Sequence, residues 1–217
     1  MEKRGTLFVI SGPSGAGKGT LVKALLEKAI GQNLRISVSA TTRQPRNGEV
    51  NGQSYWFVKR EYFQSMIDED ALLEWAEVYG NYYGTPYRAV EEQLQSGKSV
   101  ILEIDIQGAM QVRAKFPHAV FIFIAPPSIQ ELANRIQKRG TDSLEVIKRR
   151  LGCAKRELTM AHNYDYIVVN DVVSSAAEKL ACIVRAERCR SFRSTDLIDR
   201  IVNSQFATHD QSSTPNS

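Results

Sequence analysis

Short unbroken apolar runs alternate along the chain with segments in which apolar residues recur at helical spacing. The runs at 7–10, 100–105, 119–124 and 167–169 are typical of strands, and unbroken runs favour burial on both faces of a parallel sheet. Strands separated by helices predict an α/β fold of three layers, α/β/α, with a parallel central sheet.

The same pattern gives expected limits for the helices. The first begins after the glycine-rich loop and ends at Gly31, a residue type common at C-terminal caps, and a later one covers 90–95 and ends at Gly97. Asp142 and Glu145 resemble a capping box. The remaining helices are expected at 128–139, from Asp142 toward His162, and at 174–193.

The segment 35–88 interrupts the alternation and is predicted to be an insertion. Within it we expect strands at 35–39 and 55–58, a helical or mixed stretch at 61–79, and a turn at 80–86 with two exposed tyrosines. The tail has too few apolar residues to order itself. The predicted single unit spans 1–217, with a core at 4–34, 89–125 and 161–207, and a disordered tail at 208–217.

The length and charge of the chain set limits on its size and its partners. A chain of 217 residues with a net charge of +4 can bury a substantial core, and the mild charge suits small polyanions as well as nucleic acid.

The three cysteines form no CxxC pair and have no His cluster beside them, which argues against a disulfide framework and a zinc site. No apolar run approaches the ~18 residues of a membrane span, so we expect a soluble, cytoplasmic protein without a membrane partner.

The first strand leads into a glycine-rich loop. Its spacing fits a phosphate-binding loop, in which backbone N–H groups converge on phosphate oxygens at a helix N-terminus and Lys18 reaches the β- and γ-phosphates. Gly19 stands where a Ser or Thr hydroxyl normally contacts Mg²⁺, so we expect mostly water-mediated contact with the metal. The predicted ATP-binding loop is Gly12, Pro13, Ser14, Gly15, Ala16, Gly17, Lys18, Gly19 and Thr20.

Two arginines, Arg43 and Arg46, flank a proline in a polar loop. Guanidinium groups bind phosphate in a bidentate manner, so this loop is either a monophosphate clamp or an ordinary solvated loop. Taken alone, the two arginines leave both interpretations open.

Seven motifs occur in the order found in guanylate kinases, and the chain resembles the bacterial members of that family over about residues 4–190. The motifs are the loop at 12–20, the run at 37–49, 74–76, 80–84, 104–108, 124–127 and 169–171. The resemblance implies transfer of the ATP γ-phosphoryl group to GMP or dGMP, with Mg²⁺, in purine metabolism. It also implies a GMP-binding domain at 35–88 and a lid at 126–160.

The resemblance further implies roles for individual residues. The GMP phosphate would be held by Arg43, Arg46, Tyr55 and Tyr83. The guanine side of the site would contain Ser39, Glu74, Gly84, Thr85 and Asp105. Asn170 would contact adenine, and the lid arginines Arg135, Arg139 and Arg150 would close over the phosphates. Glu103 is a longer variant of an acidic position near the metal, where this family often has Asp, and would act through water.

The chemistry of guanine agrees with this allocation. Glu74 can accept hydrogen bonds from N1 and N2 while a hydroxyl of Ser39 or Thr85 serves O6. Adenine has an acceptor at N1, and an unpaired buried polar group costs ~1–3 kcal/mol, so the site would discriminate against it.

Phosphoryl transfer needs positive charge and positioning rather than a general base. Lys18, Arg135, Arg139 and Arg150 are the candidates for that charge, whereas His118, His162 and His209 are expected to be structural or surface residues. The basic segment 138–156 lacks the interleaved aromatic residues of a single-strand binder, so no nucleic-acid partner is predicted. Lys148 and Lys155 are assigned to a solvated helix surface.

Two other functions are considered. A non-catalytic guanylate-kinase-like module that binds proteins would usually have a degraded phosphate loop, whereas Gly12, Gly17 and Lys18 are intact. A kinase for another nucleoside monophosphate, such as AMP, gains support from the Gly-Lys-Gly-Thr ending of the loop. Glu74 and the run at 39–49 oppose it.

Overall fold

A computed structural model describes residues 4–78, 80–138 and 144–204. Its centre is a five-stranded parallel sheet in the order β2-β7-β1-β8-β9. The strands are β1 (Leu7–Ser11), β2 (Leu34–Ile36), β7 (Ser99–Glu103), β8 (Val120–Ala125) and β9 (Tyr166–Val169). The predicted parallel sheet is confirmed.

Helices cover both faces of this sheet, as predicted. One face packs against α1 (Lys18–Leu26) and α7 (Val173–Arg188), and the other packs against α3 (Tyr87–Gln95) and α4 (Ile106–Lys115). Alternate residues of β1 divide between the two layers, since Phe8 lies in the first core and Val9 in the second. In a parallel sheet covered by helices in this way, ligands bind at the carboxyl ends of the strands, so the loops that follow the strands are the expected place for the functional site.

A second, four-stranded sheet lies between β2 and α3 in the chain, in the order β4-β3-β6-β5. The strands are β3 (Ala40–Thr41), β4 (Trp56–Phe57), β5 (Leu72–Val78) and β6 (Asn81–Pro86). Helix α2 (Arg60–Asp68) adds Phe63 to a small core of its own with Ala40 and Leu72. This part of the chain has its own core.

Several sequence predictions in this region are wrong in detail. Residues 81–86 form strand β6 rather than a turn, because they pair with β5, and Tyr82 and Tyr83 are half-buried rather than exposed. The strand predicted at 35–39 is only Leu34–Ile36. It pairs with β7, so the second sheet begins at Ala40 rather than at residue 35. Gly31 lies within a short 3-10 helix, whereas α1 already ends at Leu26 with Glu27 as its cap.

Helices α5 (Ile129–Lys138) and α6 (Leu144–Thr159) follow β8 and pack on each other. Their contact is a separate apolar cluster that includes Leu132, Ile136 and Ala154. The Ser128 hydroxyl accepts a hydrogen bond from the Glu131 N–H, which caps the start of α5. Asp142 and Arg139 lie outside the described residues.

The chain ends, as far as it is described, in α8 (Thr195–Val202). The predicted tail at 208–217 lies outside the described residues. Among those residues, no helix combines the length and apolar character that a membrane crossing requires.

Candidate functional site

The phosphate loop joins β1 to α1 through backbone that only glycine adopts readily. Gly17 is the N-cap of α1, with φ 88° and ψ 26°. The Lys18 ammonium donates hydrogen bonds to the carbonyls of Gly12, at 2.6 Å, and Pro13, at 3.3 Å. These bonds keep the positive charge of Lys18 beside the loop. The loop therefore presents a helix N-terminus and a lysine to the same space.

Asn170, which follows β9, braces the loop from the far side. It is 3% exposed, and its Nδ2 donates to the Ala16 carbonyl at 2.7 Å. A Cβ atom on Gly17 would lie 2.4 Å from that Nδ2, so the close approach requires glycine. Asn170, for which the sequence predicts a contact with adenine, thus lies beside the loop and holds it through its side-chain amide.

A cavity of about 330 Å³ lies between the phosphate loop and Glu103, at the end of β7. A Cβ atom on Gly19 would lie 3.4 Å from both Glu103 carboxylate oxygens, so this carboxylate faces the position where a loop hydroxyl is missing. Partial desolvation raises the pKa of Glu103, and the Lys18 charge opposes that rise. Within the described part of the chain no cluster of three potential metal ligands occurs.

The polar loop of Arg43 is organised by Glu49. The Arg43 guanidinium donates to both Glu49 carboxylate oxygens, at 2.8 and 3.0 Å, and the Arg46 N–H donates to the same carboxylate at 2.7 Å. These bonds lower the pKa of Glu49, with the Arg43 contact contributing most. The two arginines thus belong to one built loop, with the Arg46 side chain exposed.

Tyr55 and Tyr83 stand beside Arg43. Their rings meet edge to face with centroids 6.0 Å apart, and the Arg43 guanidinium lies 5.5 Å from the Tyr55 centroid. Burial raises the pKa of the Tyr55 hydroxyl. The bonds to Glu49 raise the pKa of Arg43 most, and a hydrogen bond with Tyr83 adds to that rise. The structure therefore brings three of the four predicted phosphate-binding side chains together.

Glu74, on β5, is a buried carboxyl group at 6% exposure. The Thr85 hydroxyl, on the paired strand β6, donates to Glu74 Oε1 at 2.7 Å, and Ser39 Oγ lies 3.4 Å from Thr85 Oγ1. Burial raises the pKa of Glu74 to about 7; the charge of Asp105 adds to the rise, and the Thr85 bond opposes it. Three of the five residues predicted on the guanine side, Ser39, Glu74 and Thr85, therefore form one hydrogen-bonded group.

Asp105 is the N-cap of α4, where its Oδ1 accepts the Gly108 N–H at 2.7 Å. A Cβ atom on Gly108 would lie 2.5 Å from Glu74 Oε2 and 3.4 Å from Asp105 Oδ1. Gly108 therefore lets both carboxylates approach the first turn of α4. Asp105 and Glu74 thus both lie against Gly108, and Gly84 lies in β6 opposite Trp75.

Of the three predicted lid arginines, Arg135 is the one with described contacts. Its Nε donates to Glu131 at 2.9 Å, and its other nitrogen, Nη2, donates to the Asn170 carbonyl at 3.0 Å. Arg150 lies on α6 and is half-buried. Arg139 lies outside the described residues.

Three residues that the sequence analysis left without a role contribute to the cleft. Glu49 organises the arginine loop, Gly108 admits Glu74, and Glu157 on α6 is half-buried. Burial raises the pKa of Glu157, the Lys18 charge lowers it, and the Asp105 charge raises it. The Glu157 carboxyl is therefore near enough to interact with both the phosphate-loop lysine and Asp105. Glu49 and Gly108 lie within the motifs at 37–49 and 104–108, so the sequence carried a signal for both of them. No pattern in the sequence singled out Glu157.

The residues predicted to lie on the surface, outside the site, are exposed where the structure describes their side chains. His118 and His162 are exposed, and His209 lies outside the described residues. Lys155 is exposed on α6. The three cysteines are free thiols, and Cys182 and Cys189 are exposed.

The parallel sheet, the phosphate loop and a facing polar pocket define an α/β protein of the nucleotide-kinase class with a donor half and an acceptor half. The chain belongs to the guanylate kinase family, since a family model described as guanylate kinase matches residues 4–187. This assignment agrees with the resemblance found in the sequence.

Individual relatives agree with the family. The guanylate kinase of Caldanaerobacter subterraneus subsp. tengcongensis is 56% identical over 201 residues, which cover 93% of this chain and 97% of the relative. The guanylate kinase of Desulfitobacterium hafniense is 58% identical over 189 residues, covering 87% and 94%. The crystal structure of guanylate kinase from Anaplasma phagocytophilum has a TM-score of 0.74 at 34% identity, covering 92% of this chain and 95% of that one.

Proposed function

We propose that the cleft transfers the γ-phosphoryl group of ATP to GMP or dGMP, giving ADP and the nucleoside diphosphate, as a step of purine metabolism. The observation that carries this proposal is the pairing of a buried carboxyl group, Glu74, with the Thr85 hydroxyl, which donates to it. The carboxylate can accept hydrogen bonds from the two guanine donors. Because the Thr85 proton is given to Glu74, the neighbouring Ser39 hydroxyl is the one that can donate to the guanine acceptor.

In the donor half, the loop N–H groups and Lys18 bind the ATP phosphates. Asn170 holds the loop through the Ala16 carbonyl and lies beside the adenine. Lys18, Arg135, Arg139 and Arg150 stabilise the charge that spreads over the transferred group in the transition state. Arg135 is already tied to the Asn170 carbonyl, which keeps α5 close to the donor nucleotide.

In the acceptor half, Arg43, Arg46, Tyr55 and Tyr83 bind the phosphate of GMP. Glu49 holds Arg43 in a bidentate pair, so the guanidinium is oriented before the phosphate arrives. Tyr55 and Tyr83 add hydroxyl donors beside it. The GMP phosphate has a second pKa of about 6, so it is a dianionic nucleophile near neutral pH and needs no base.

Mg²⁺ accompanies the ATP. Glu103 fits it as a single carboxylate beside the loop, because Mg²⁺ keeps several waters and binds through one or two carboxylates together with substrate phosphates. Gly19 offers no hydroxyl, so the loop would reach the ion through water, and Glu103 would hold it in the same way. When bound, the ion neutralises charge on the β- and γ-phosphate oxygens.

The domain at 35–88 and the lid at 126–160 close over the two nucleotides and exclude water, which would otherwise accept the phosphoryl group. Each of the two has an apolar cluster of its own, which supports its moving as a unit, while Leu73 and Leu158 contact a core of the parallel sheet. The free thiols suit a reducing compartment, so we place the reaction in the cytoplasm.

A coupled assay of ADP release with GMP, dGMP, AMP, CMP and UMP tests the proposal. We expect turnover with GMP and dGMP. Glu74→Ala should raise the KM for GMP by about tenfold or more, because it leaves guanine donors unpaired, with little change in the KM for ATP. No turnover with any acceptor, or a preference for AMP, contradicts the proposal.

A further inference from the structure

Helix α4 holds the edge of the small sheet beside the residue that reads the base. Strand β5 is the edge strand of that sheet, so one side of its backbone has no strand partner. The Gln111 amide of α4 fills that gap at Trp75: its Oε1 accepts the Trp75 N–H at 3.1 Å, and its Nε2 donates to the Trp75 carbonyl at 2.8 Å. One side chain thus replaces the pair of hydrogen bonds that a neighbouring strand would make.

The contact continues along one face of α4. Lys115, four residues after Gln111, donates to the Leu72 carbonyl at 2.9 Å and to Asp70 at 2.6 Å. Gly108, three residues before Gln111, is the position where a Cβ would reach within 2.5 Å of Glu74 Oε2. Residues spaced by three and four lie on the same side of a helix, so three successive turns of α4 contact β5.

Glu74 immediately precedes Trp75 in β5, and the N-cap of α4, Asp105, lies two residues after the end of β7 in the parallel sheet. The Gln111 bond therefore sets the distance between the carboxyl group on the small sheet and the core of the molecule. We propose that Gln111 is a positioning residue for base recognition: its amide clamps the backbone at Trp75 and so places the Glu74 carboxylate for the guanine 2-amino group. This inference rests on the proposed role of Glu74.

The contrast between GMP and IMP isolates this role, because IMP keeps N1–H and O6 but lacks the 2-amino group. Gln111→Leu removes both clamp bonds with little change in volume. We expect the ratio of kcat/KM for GMP to kcat/KM for IMP to fall about tenfold, with the KM for ATP unchanged. Gln111→Glu keeps the acceptor for the Trp75 N–H and loses only the donor, so its loss should be intermediate.

Gln64→Leu is the matched control, because Gln64 is exposed on α2 and its amide bonds only within that helix, to Asp68. It should leave the ratio unchanged. Coupling supplies the sharper test: in a Glu74→Gln background, Gln111→Leu should produce no further fall in the ratio, since the carboxylate it positions is gone.

A merely structural role predicts a different result, namely lower thermal stability with equal loss for both acceptors, and that result overturns the inference. If Gln111→Leu does not fold, Gln111→Glu provides the same comparison, and an unchanged ratio in it overturns the inference. If Glu74→Gln alone leaves the ratio unchanged, the role of Glu74 and the role of Gln111 both fail. If Glu74→Gln lowers the ratio and Gln111→Leu does not, only the inference about Gln111 fails.

Discussion

Glu74 is a buried carboxyl group, and the base recognition proposed for it comes at a cost in stability. To accept two hydrogen bonds from guanine it must be ionised, whereas burial and the nearby Asp105 charge favour the protonated form. The Thr85 hydroxyl offsets part of this cost. The sequence placed Glu74 within a motif, but the burial that makes it selective depends on two strands and α4.

The pKa of Glu74, about 7, predicts how stability changes with pH. Between its usual pKa and about 7, the folded protein keeps a proton that the unfolded chain has released, so stability present at low pH is lost as pH rises through 7. Glu74→Gln removes this loss and still accepts the Thr85 bond. The variant should exceed the parent in unfolding free energy by ~2 kcal/mol at pH 8, with little difference at pH 5.

Thermal unfolding of both proteins at the two pH values measures this effect. The expected gain at pH 8 corresponds to a rise in Tm of roughly 4–8 °C for a chain of this size. Glu77→Gln is the control, because Glu77 is exposed on the same strand and should show no such dependence. Equal differences at pH 5 and pH 8 would mean that Glu74 has an ordinary pKa.

The junction of the phosphate loop with α1 shows how an element is defined by contacts distant in sequence. Its glycine pattern was sufficient to predict the loop and the strand before it. The pattern did not show that Asn170 supports the loop through Ala16, since that bond links residues 154 positions apart. The end of α1 was also misplaced, because Gly31 belongs to a 3-10 turn.

Gly17→Ala tests the fit of this junction. Its Cβ would meet Asn170 Nδ2 at 2.4 Å and would require a positive φ, so the Ala16 bond should break. We expect ATP affinity to fall about tenfold or more and the unfolding free energy to fall by ~1–3 kcal/mol. Calorimetric titration with ATP and urea unfolding provide the two readouts.

Gly80→Ala is the matched variant, because Gly80 also has a positive φ, 78°, but its Cβ would have no atom within 4 Å. It should lose ~1 kcal/mol of stability from backbone strain and keep its ATP affinity. If both variants weaken ATP binding equally, the contact with Asn170 has no special role in the loop.

At the scale of the whole molecule, the apolar residues divide into four clusters. Two clusters lie on the faces of the parallel sheet, a third joins α5 to α6, and a fourth lies in the small sheet. The small sheet and the α5–α6 pair each have a core of their own, and each also places a leucine, Leu73 or Leu158, against one core of the parallel sheet. In the proposed reaction these two parts would close over the nucleotides and exclude water, which could otherwise accept the phosphoryl group.

Limited trypsin digestion tests closure, since Lys138, Lys155 and Arg156 are exposed on α5 and α6. A non-hydrolysable ATP analogue together with GMP should slow cleavage at these residues several-fold, and either nucleotide alone should slow it less. Mass spectrometry identifies the sites, and cleavage at Arg200 on α8 serves as the internal control because α8 lies outside the proposed moving parts. Full protection by a single nucleotide would contradict joint closure.

The sequence by itself determined the parallel α/β architecture, the phosphate loop and the family, because periodic apolar runs and short contiguous motifs are local properties. It also named Glu74, Arg43 and Tyr83 as candidates. The tertiary structure decided that residues 81–86 are a strand, that Glu49 holds Arg43, and that Gln111 binds the backbone beside Glu74. The pairing of β6 with β3 and the hydrogen bonds from α4 to β5 join segments that are distant in sequence. Only folding brings those partners together, so no local pattern encodes them.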